Sequence, residues 1–416
     1  MKTAVVSGLG PNGMLAALHL AACGYAVTGV ERRTSYARSI HLSLRRSYFD
    51  DVRALDVALH EKLWAIASPI EEIHHIQLRD GTETETRTQP RLSQPDPNAS
   101  VAQRLAQDPM VHVRLDELER VFFDHLSALG PRRGLRLLRG TQLTVTRPPD
   151  QDTFSAVCTP VPGSAGELEV IHAPDLIVVA EGGKSPTATL LGKKTQKLSA
   201  PKLYLSVHVE HALGPVTRRL DTQVEVPGGR QHVCFWATGH KDPRKGTWLV
   251  LEVPAVLQAG MGSQSFDRGY FARAAAPLLR VSPPPEPGTH GFSGTFRFEQ
   301  QLLANPVAGS NVVFFGDAAG MGPPAPGSGL ELGACDLRPL GTLVAHRSNP
   351  NALGRYAKEV VASRIALLAF GMREHYPALP GDPAPWLTHV MDVVARDPDA
   401  DARLLVESWV TRGAGA

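Results

Sequence analysis

The stretch 311–335, NVVFFGDAAGMGPPAPGSGLELGAC, decides the reading of this chain. Val312, Val313, Phe314 and Phe315 form a short apolar run of the kind that makes a buried core strand. It stops at Gly316-Asp317. Small residues and prolines follow, Pro324 among them, then Gly327-Ser328-Gly329 and a helix-like run from near Leu330. A strand, a carboxylate, a glycine-rich turn and a helix start can together hold a polar, phosphate-bearing ligand. Asp317 can accept a hydrogen bond from a hydroxyl, and the free backbone N–H groups of the turn and helix start face an anion.

A second nucleotide motif stands at the N-terminus. Residues 3–31, TAVVSGLGPNGMLAALHLAACGYAVTGVE, give a strand at Ala4–Val6 and GxGxxG at Gly8, Gly10 and Gly13. A helix-prone run at Met14–Cys23 and a second strand at Tyr25–Val30 follow. Gly8 permits the tight turn, Gly10 lets the backbone approach a pyrophosphate, and Gly13 lets the helix pack closely on the strand. Glu31 ends the second strand about 20 residues on, where a carboxylate binds a ribose diol. Arg32 and Arg33 follow it. GxGxxG alone is a weak signal. Its strand, helix and acid make it a nucleotide site rather than a structural turn. Two distant segments gripping one long dinucleotide point to FAD.

A chain of 416 residues has room for two or three domains. Hydrophobic residues at 43% and charged residues at 20% are ordinary for a soluble enzyme. The net charge of +2 gives no reason to expect a nucleic-acid partner. No apolar stretch reaches the roughly 18–20 residues that span a bilayer, so no membrane segment is expected. The N-terminal apolar run leads into the nucleotide pattern rather than a signal peptide, so a cytoplasmic location is expected. Cys23, Cys158, Cys234 and Cys335 are scattered, without CxxC or zinc-like spacing. They read as buried thiols, and no metal site is expected.

Between the motifs, Asp50–Ala67 is helix-prone and follows a basic segment with Arg38, Arg45 and Arg46. Residues 80–108 are polar and read as a solvated loop. Arg114–Ser127 has helical apolar spacing, while Leu135–Thr146 and Thr153–Val161 read as strands of a hairpin or meander. Asp175–Ala180 is a buried strand ending at Glu181-Gly182-Gly183-Lys184-Ser185. The next stretch is largely β. Lys202–Glu210 alternates, with Leu203, Leu205, Val207 and Val209 on one face and Tyr204, Ser206 and His208 on the other. His232–Thr238 and Thr247–Val253 continue the sheet, and a Pro-rich link at 282–288 marks the return to the first domain. After residue 330 the chain is mainly helical, with helices at Leu387–Ala395 and Asp401–Val410. No internal repeat is found.

GxGxxG near residue 8, a DG-like turn near 181 and Gly-Asp at 316–317 come in the order that resembles the class A flavoprotein monooxygenases, whose fold is named for para-hydroxybenzoate hydroxylase. GDAAGMGPPAPGSGLELG stands against that family's GDAAH, paired prolines and GxGxNxG. Within the family, Arg38–Leu44 (RSIHLSL) resembles the RSINLAL segment of kynurenine 3-monooxygenases, Arg114–Leu118 (RLDEL) their SRENL, and Met372-Arg373 their C-terminal MR. The resemblance implies an α/β fold: a Rossmann-type FAD-binding domain (1–75, 105–185 and 289–375), an inserted mainly β substrate domain (76–104 and 186–288) and a C-terminal helical segment (376–416). It puts Arg114 on the FAD pyrophosphate or ribityl region, Asp317 on the ribityl hydroxyls, and the backbone of Gly327–Leu330 at the flavin pyrimidine edge. Arg45 and Arg46 become candidates to touch flavin or substrate.

Three departures stand out. The DG turn is Glu181-Gly182, the His after GDAA is Gly320, and the Asn of GxGxN is Glu331. The Arg that clamps kynurenine's carboxylate falls near His74 and the C-terminal Tyr near Ala369, so kynurenine itself is not the expected substrate. The chemistry implied is monooxygenation: NADH or NADPH, bound transiently, reduces FAD, and O2 then gives a C4a-hydroperoxyflavin whose distal oxygen passes to an aromatic or electron-rich small molecule. One Rossmann motif argues against the two-Rossmann disulfide reductases, and the WxWxIP motif of flavin-dependent halogenases is absent. Candidates for substrate contact are His74, Tyr204, His208, His232 and Trp236. The sequence leaves open which sheet row faces inward, assigns no catalytic acid or base, and allows a monomer or homodimer. Alternatives that keep FAD are epoxidation, Baeyer–Villiger insertion, dehydrogenation, or a flavin-binding protein without turnover.

Overall fold

A computed structural model describes residues 1–38, 40–79, 82–89, 109–199, 201–254, 256–257, 268–281, 294–322, 328–375, 381–397 and 400–414. The apolar runs VV at 5–6, LIVV at 176–179 and VVF at 312–314 are buried on both faces, as strands of a parallel sheet must be. They lie in a six-stranded sheet ordered Val307–Ala308, Val312–Phe314, Leu176–Val179, Thr3–Ser7, Ala26–Glu31, Leu135–Arg139. All its pairings are parallel except the antiparallel edge made by Val307–Ala308. The two nucleotide motifs therefore open at the carboxyl ends of parallel strands separated only by Leu176–Val179, which is where such sheets bind ligands.

A seven-stranded sheet follows the order Gly294–Phe298, Lys202–Val209, Thr247–Val253, Gly229–Gly239, Val216–Val226, Glu72–Arg79, Thr82–Thr88. Leu203, Leu205, Val207 and Val209 face a core shared with Phe235, Leu249, Leu251 and the helix Arg268–Leu279. A short sheet of His41–Arg45, Met110–Arg114 and Ser68–Pro69 sits beside it. The C-terminal helices Pro383–Arg396 and Ala402–Ala414 stack Trp386 on Trp409 at 5.8 Å and close a separate cluster with Ile365 and Leu368.

Three expectations change. Asp50–Ala67 holds two helices, Arg46–Leu55 and Val57–Ile66, because the Asp56 carboxylate takes the Leu59 N–H at 2.9 Å and caps the second. Residues 135–146 are not one strand, although their second half does pair with the 153–161 stretch. Gly140 turns at φ 61°, sending Leu135–Arg139 into the parallel sheet and Thr141–Thr146 into a sheet with Ser155–Pro160 and Glu169–Ile171. The polar stretch from residue 80 contains an edge strand, Thr82–Thr88, whose β-branched threonines suit an exposed pleat. Residues 90–108 and the Pro-rich link lie outside the described residues.

Helices Ser328–Ala345 and Ala352–His375 meet at a buried ion pair. Arg364 places its guanidinium 2.5 and 2.9 Å from the Asp336 carboxylate, and the two residues are 1% and 0% exposed. Removing one partner strands a buried charge, which costs about 3–5 kcal/mol. Arg364→Leu should therefore lower folding stability by about that amount, read as a lower urea midpoint. An unchanged midpoint contradicts this role.

Candidate functional site

The three glycines of the N-terminal turn have separate physical reasons. Gly8 has φ 89°, and a Cβ there would stand 2.6 Å from the Ala180 carbonyl oxygen. A Cβ on Gly13 would fall 1.8 Å from the Gly8 carbonyl oxygen, so the helix Pro11–Ala22 could not approach its strand. At Gly10 a Cβ would meet only Glu119 Oε1, at 3.8 Å, and would project from the cavity wall. Glu31 accepts from Leu9 N–H at 3.0 Å and is gripped by the Arg33 guanidinium at 2.9 and 3.1 Å. Burial opposes ionisation, yet the Arg33 guanidinium holds the carboxyl below its ordinary range. Arg33 also reaches Glu119, which Arg38 pairs at 2.5 Å. This end of the cavity thus has a held carboxylate among several cations.

At the second motif the Gly316 peptide is held from both sides. Its N–H donates to Asp336 at 2.8 Å and its carbonyl accepts from Arg364 at 2.9 Å. Gly316 has φ 60°, and a Cβ would fall 2.8 Å from Asn12 Nδ2. Asn12 also leaves no room for a Cβ on Gly333, 2.2 Å from its Cγ. The helices Pro11–Ala22 and Ser328–Ala345 thus meet at the Asn12 side chain. Held this way, Asp317 lines the cavity with Oδ1 buried and without a hydrogen-bond partner among the described residues. Burial pushes its carboxyl up to about 6, against the opposing pull of Arg364 and Arg38. It is an acceptor prepared for a donor.

The three departures from the resembled pattern are structural substitutions. Glu181 takes hydrogen bonds from the Ser7, Ser185 and Thr187 hydroxyls at 2.5, 2.6 and 2.7 Å, tying the first strand to the Glu181–Ser185 turn. Glu331 is 2% exposed and accepts the Arg45 N–H at 2.5 Å, turning its charge into the start of the helix Arg46–Leu55. Gly320 lies in a strand beside Gln301–Leu303, where a Cβ would fall 2.9 Å from the Gln301 carbonyl oxygen. A histidine has no space there.

One cavity of about 1120 Å³ runs from this grip to the large sheet. Gly8, Gly10, Gly13, Glu31, Arg32, Arg45, Asp317 and Leu330 line it, with Gly316 behind Asp317. Gly329 lies in the first turn of the helix Ser328–Ala345, and Pro324 and Gly327 fall outside the described residues. Arg114 is absent from the cavity wall, because Asp116 holds its guanidinium at 2.7 and 3.1 Å.

Both polar rows of the sheet lie on the inward face, since Ser206 and Trp236 pair with the two sides of Val250. Ser206 and Trp236 line the cavity, and Tyr204 packs behind Trp236 with ring centroids 6.1 Å apart. His208 Nε2 faces the Lys245 carbonyl at 2.8 Å, at the cavity's edge. His232 is 65% exposed and does not reach the wall. His74 points through the far face to Glu72 and Glu85, each 2.7 Å away, and its neighbour His75 lines the cavity instead. A shift of one residue reverses the face of a strand.

Sequence reading missed His41, His112, Thr217, Arg219 and Trp248 on the wall, and Asn12, Asp336 and Arg364 behind it. The last two carried a signal: a charge set within an apolar helical run.

No curated protein matches this chain by sequence. Among solved structures, p-nitrophenol 4-monooxygenase PnpA from Pseudomonas putida DLL-E4 matches with TM-score 0.66 and 17% identity, over 99% of this chain and 98% of that one. Aklavinone-11 hydroxylase, in complex with FAD and aklavinone, matches with TM-score 0.64 and 17% identity, over 90% and 69%. The flavin-dependent halogenase CmlS matches with TM-score 0.64 and 17% identity, over 100% and 70%. The narrower resemblance to kynurenine 3-monooxygenases draws no support from these matches. At such identities they show the fold, and the fold is that of flavin enzymes. The family model described as "FAD binding domain" matches residues 1–364, and with both halves of a dinucleotide grip in place the chain belongs to that FAD-binding family.

Proposed function

We propose that this chain is an NAD(P)H-using, FAD-dependent monooxygenase that hydroxylates an aromatic or electron-rich small molecule. The observation that carries the reading is the single continuous cavity. At about 1120 Å³ it exceeds the roughly 300–1,000 Å³ of a pocket for one drug-sized ligand. One end offers the glycine turn, Glu31 and Asp317; the other is walled by Trp236, Trp248, Ser206 and Thr238. FAD fits the first end, and a planar substrate fits the second.

Bound FAD would supply the redox and oxygen-activating chemistry. The chain's own residues have the remaining work. Gly10 and the first turn of Pro11–Ala22 would face the pyrophosphate, Glu31 the adenine ribose, and Asp317 a ribityl hydroxyl. The sheet wall keeps water from the reacting atoms and holds the substrate in one plane. Glu331 turns its charge onto a helix start and is absent from the cavity wall, which removes one motive for a flavin-binding protein without turnover. Glu181 and Gly320 are likewise accounted for by packing.

Asp317 makes FAD affinity pH-dependent. Its carboxyl in the free protein is raised to about 6. A ribityl hydroxyl donating to the ionised form lowers that value, so binding releases a proton. Affinity should rise with pH up to about 6 and level off above. Asp317→Asn should flatten the profile and weaken binding by about 10- to 100-fold, the range for a hydrogen bond to a charged group. Fluorescence titration of the apoprotein with FAD measures both, and a wild-type profile without slope contradicts the placement.

The activity is tested by stopped-flow reduction of the FAD-loaded protein with NADH and NADPH across a panel of aromatic metabolites. Ligand-stimulated reduction with oxygen uptake and a product heavier by one oxygen atom is the expected result. A product lighter by two hydrogens makes the chain a dehydrogenase, and absence of reduction with every ligand defeats the reading.

A further inference from the structure

Beside the cavity lies a second, smaller pocket of about 250 Å³. Lys184 and Asp317 belong to the walls of both. Gly182 and Met321 face the larger space, and Gly183 and Gly320 the smaller. The Glu181–Ser185 turn and the strand Gly320–Met321 therefore make the partition between them. These two pieces of chain are far apart in sequence and touch closely. A Cβ on Gly183 would fall 1.8 Å from Met321 Sδ, so only glycine lets the turn lie against the thioether.

One side chain joins them from behind. Gln301 Nε2 donates to the Gly183 carbonyl at 2.7 Å and to Met321 Sδ at 3.3 Å. Gln301 lines the smaller pocket and is absent from the wall of the larger one. Its strand, Gln301–Leu303, is the middle of a three-stranded sheet, paired with Thr195–Lys197 on one side and Gly320–Met321 on the other. The Leu303 N–H donates to the Ala319 carbonyl at 2.9 Å, two residues beyond Asp317. Leu302 is fully buried and packs with Leu198 and with Leu387, Val390 and Val406 of the C-terminal helices. The strand that carries Gln301 is thus braced from the outside of the molecule, and its amide reaches inward to the partition.

Resting on the placement of FAD against Asp317, we propose that Gln301 is a positioning residue for FAD. It holds the Glu181–Ser185 turn and the Gly320–Met321 strand in the arrangement that receives the cofactor, and it acts through the Gly183 carbonyl and Met321 rather than by contact. Removing the amide takes away the donor that these two acceptors share, and nothing else in the junction draws them together. A wall that has come apart must close again before it holds a dinucleotide, and that cost is subtracted from affinity. A wall found in its receiving arrangement about a tenth of the time binds about tenfold more weakly. The same loosening joins the larger cavity to the solvent of the smaller pocket, where an oxygen-activating site needs water kept out.

The test titrates the full-length apoprotein with FAD by fluorescence, and records the visible spectrum of the loaded protein and the urea midpoint of the apoprotein. Gln301→Met keeps the length of the side chain and removes the donor. It should bind FAD about tenfold more weakly and blur the vibronic shoulder of the bound flavin, which is sharp only in dry surroundings. A Gln301 that merely supported the fold would lower the urea midpoint and leave affinity and spectrum as in wild type. Gln301→Asn keeps the amide but draws it back by one methylene, and should lose affinity as well. Met321→Leu removes the sulfur, and its loss combined with that of Gln301→Met should fall short of their sum, because both break one junction. Wild-type affinity and spectrum in Gln301→Met, or losses that simply add in the double variant, overturn the proposal. If Gln301→Met does not fold, Gln301→Asn decides, and wild-type affinity there overturns it. Wild-type protein that binds FAD without a pH slope defeats the placement against Asp317 and this proposal with it. A wild type that shows the slope while the Gln301 variants match it in affinity counts against Gln301 alone.

Discussion

The Gly316 peptide is gripped at both ends, and the site depends on that grip. Its N–H goes to Asp336 and its carbonyl to Arg364, two residues on different helices that pair with each other in the core. Backbone fixed in this way sets where the Cα–Cβ bond of the next residue, Asp317, points. The low dielectric strengthens these bonds and leaves Asp317 poorly solvated, with its carboxyl pushed up to about 6. The ion pair helps place the acceptor, and burial raises it against the pull of Arg364.

Asn12 carries the same constraint to the other motif. Its side chain fills the space left by the missing Cβ atoms of Gly316 and Gly333, so the first helix of the chain seats directly on the last half of the site. Distant stretches of sequence become one dinucleotide grip because small residues let their backbones approach. The departures at 181, 320 and 331 fit within this frame. Glu181 and Glu331 spend their charge on neighbouring hydroxyls and N–H groups, and Gly320 gives room to a strand.

The fold was largely legible. Uninterrupted apolar runs such as Val312–Phe314 belong to strands buried on both faces, and the alternation of Lys202–Val209 put Leu203, Leu205 and Val207 in the core as read. Short polar elements were less so: the exposed strand Thr82–Thr88 has no apolar face to reveal it, and Asp56 ends one helix and starts another within a continuous helix-prone run. The glycine turn, Glu31 and Asp317 share one cavity wall, a placement that local backbone demands made legible. Arg114 could not be read in this way, since its choice of Asp116 over the cavity depends on a local pairing that motif matching does not weigh.

The sequence by itself determined the backbone of the FAD-binding fold: the glycine spacing, the strand ends and the carboxylates at fixed offsets are local demands that it states outright. Tertiary structure decided the sheet wall of the cavity. Whether His74 or His75 faces inward turns on a one-residue register in a parallel pairing with Val216–Val226. The gathering of His41, His112, His208 and Trp248 turns on the contact between two sheets. Local spacing encodes what the backbone must do at a turn. It does not encode which side chains meet when strands far apart in the chain are brought face to face.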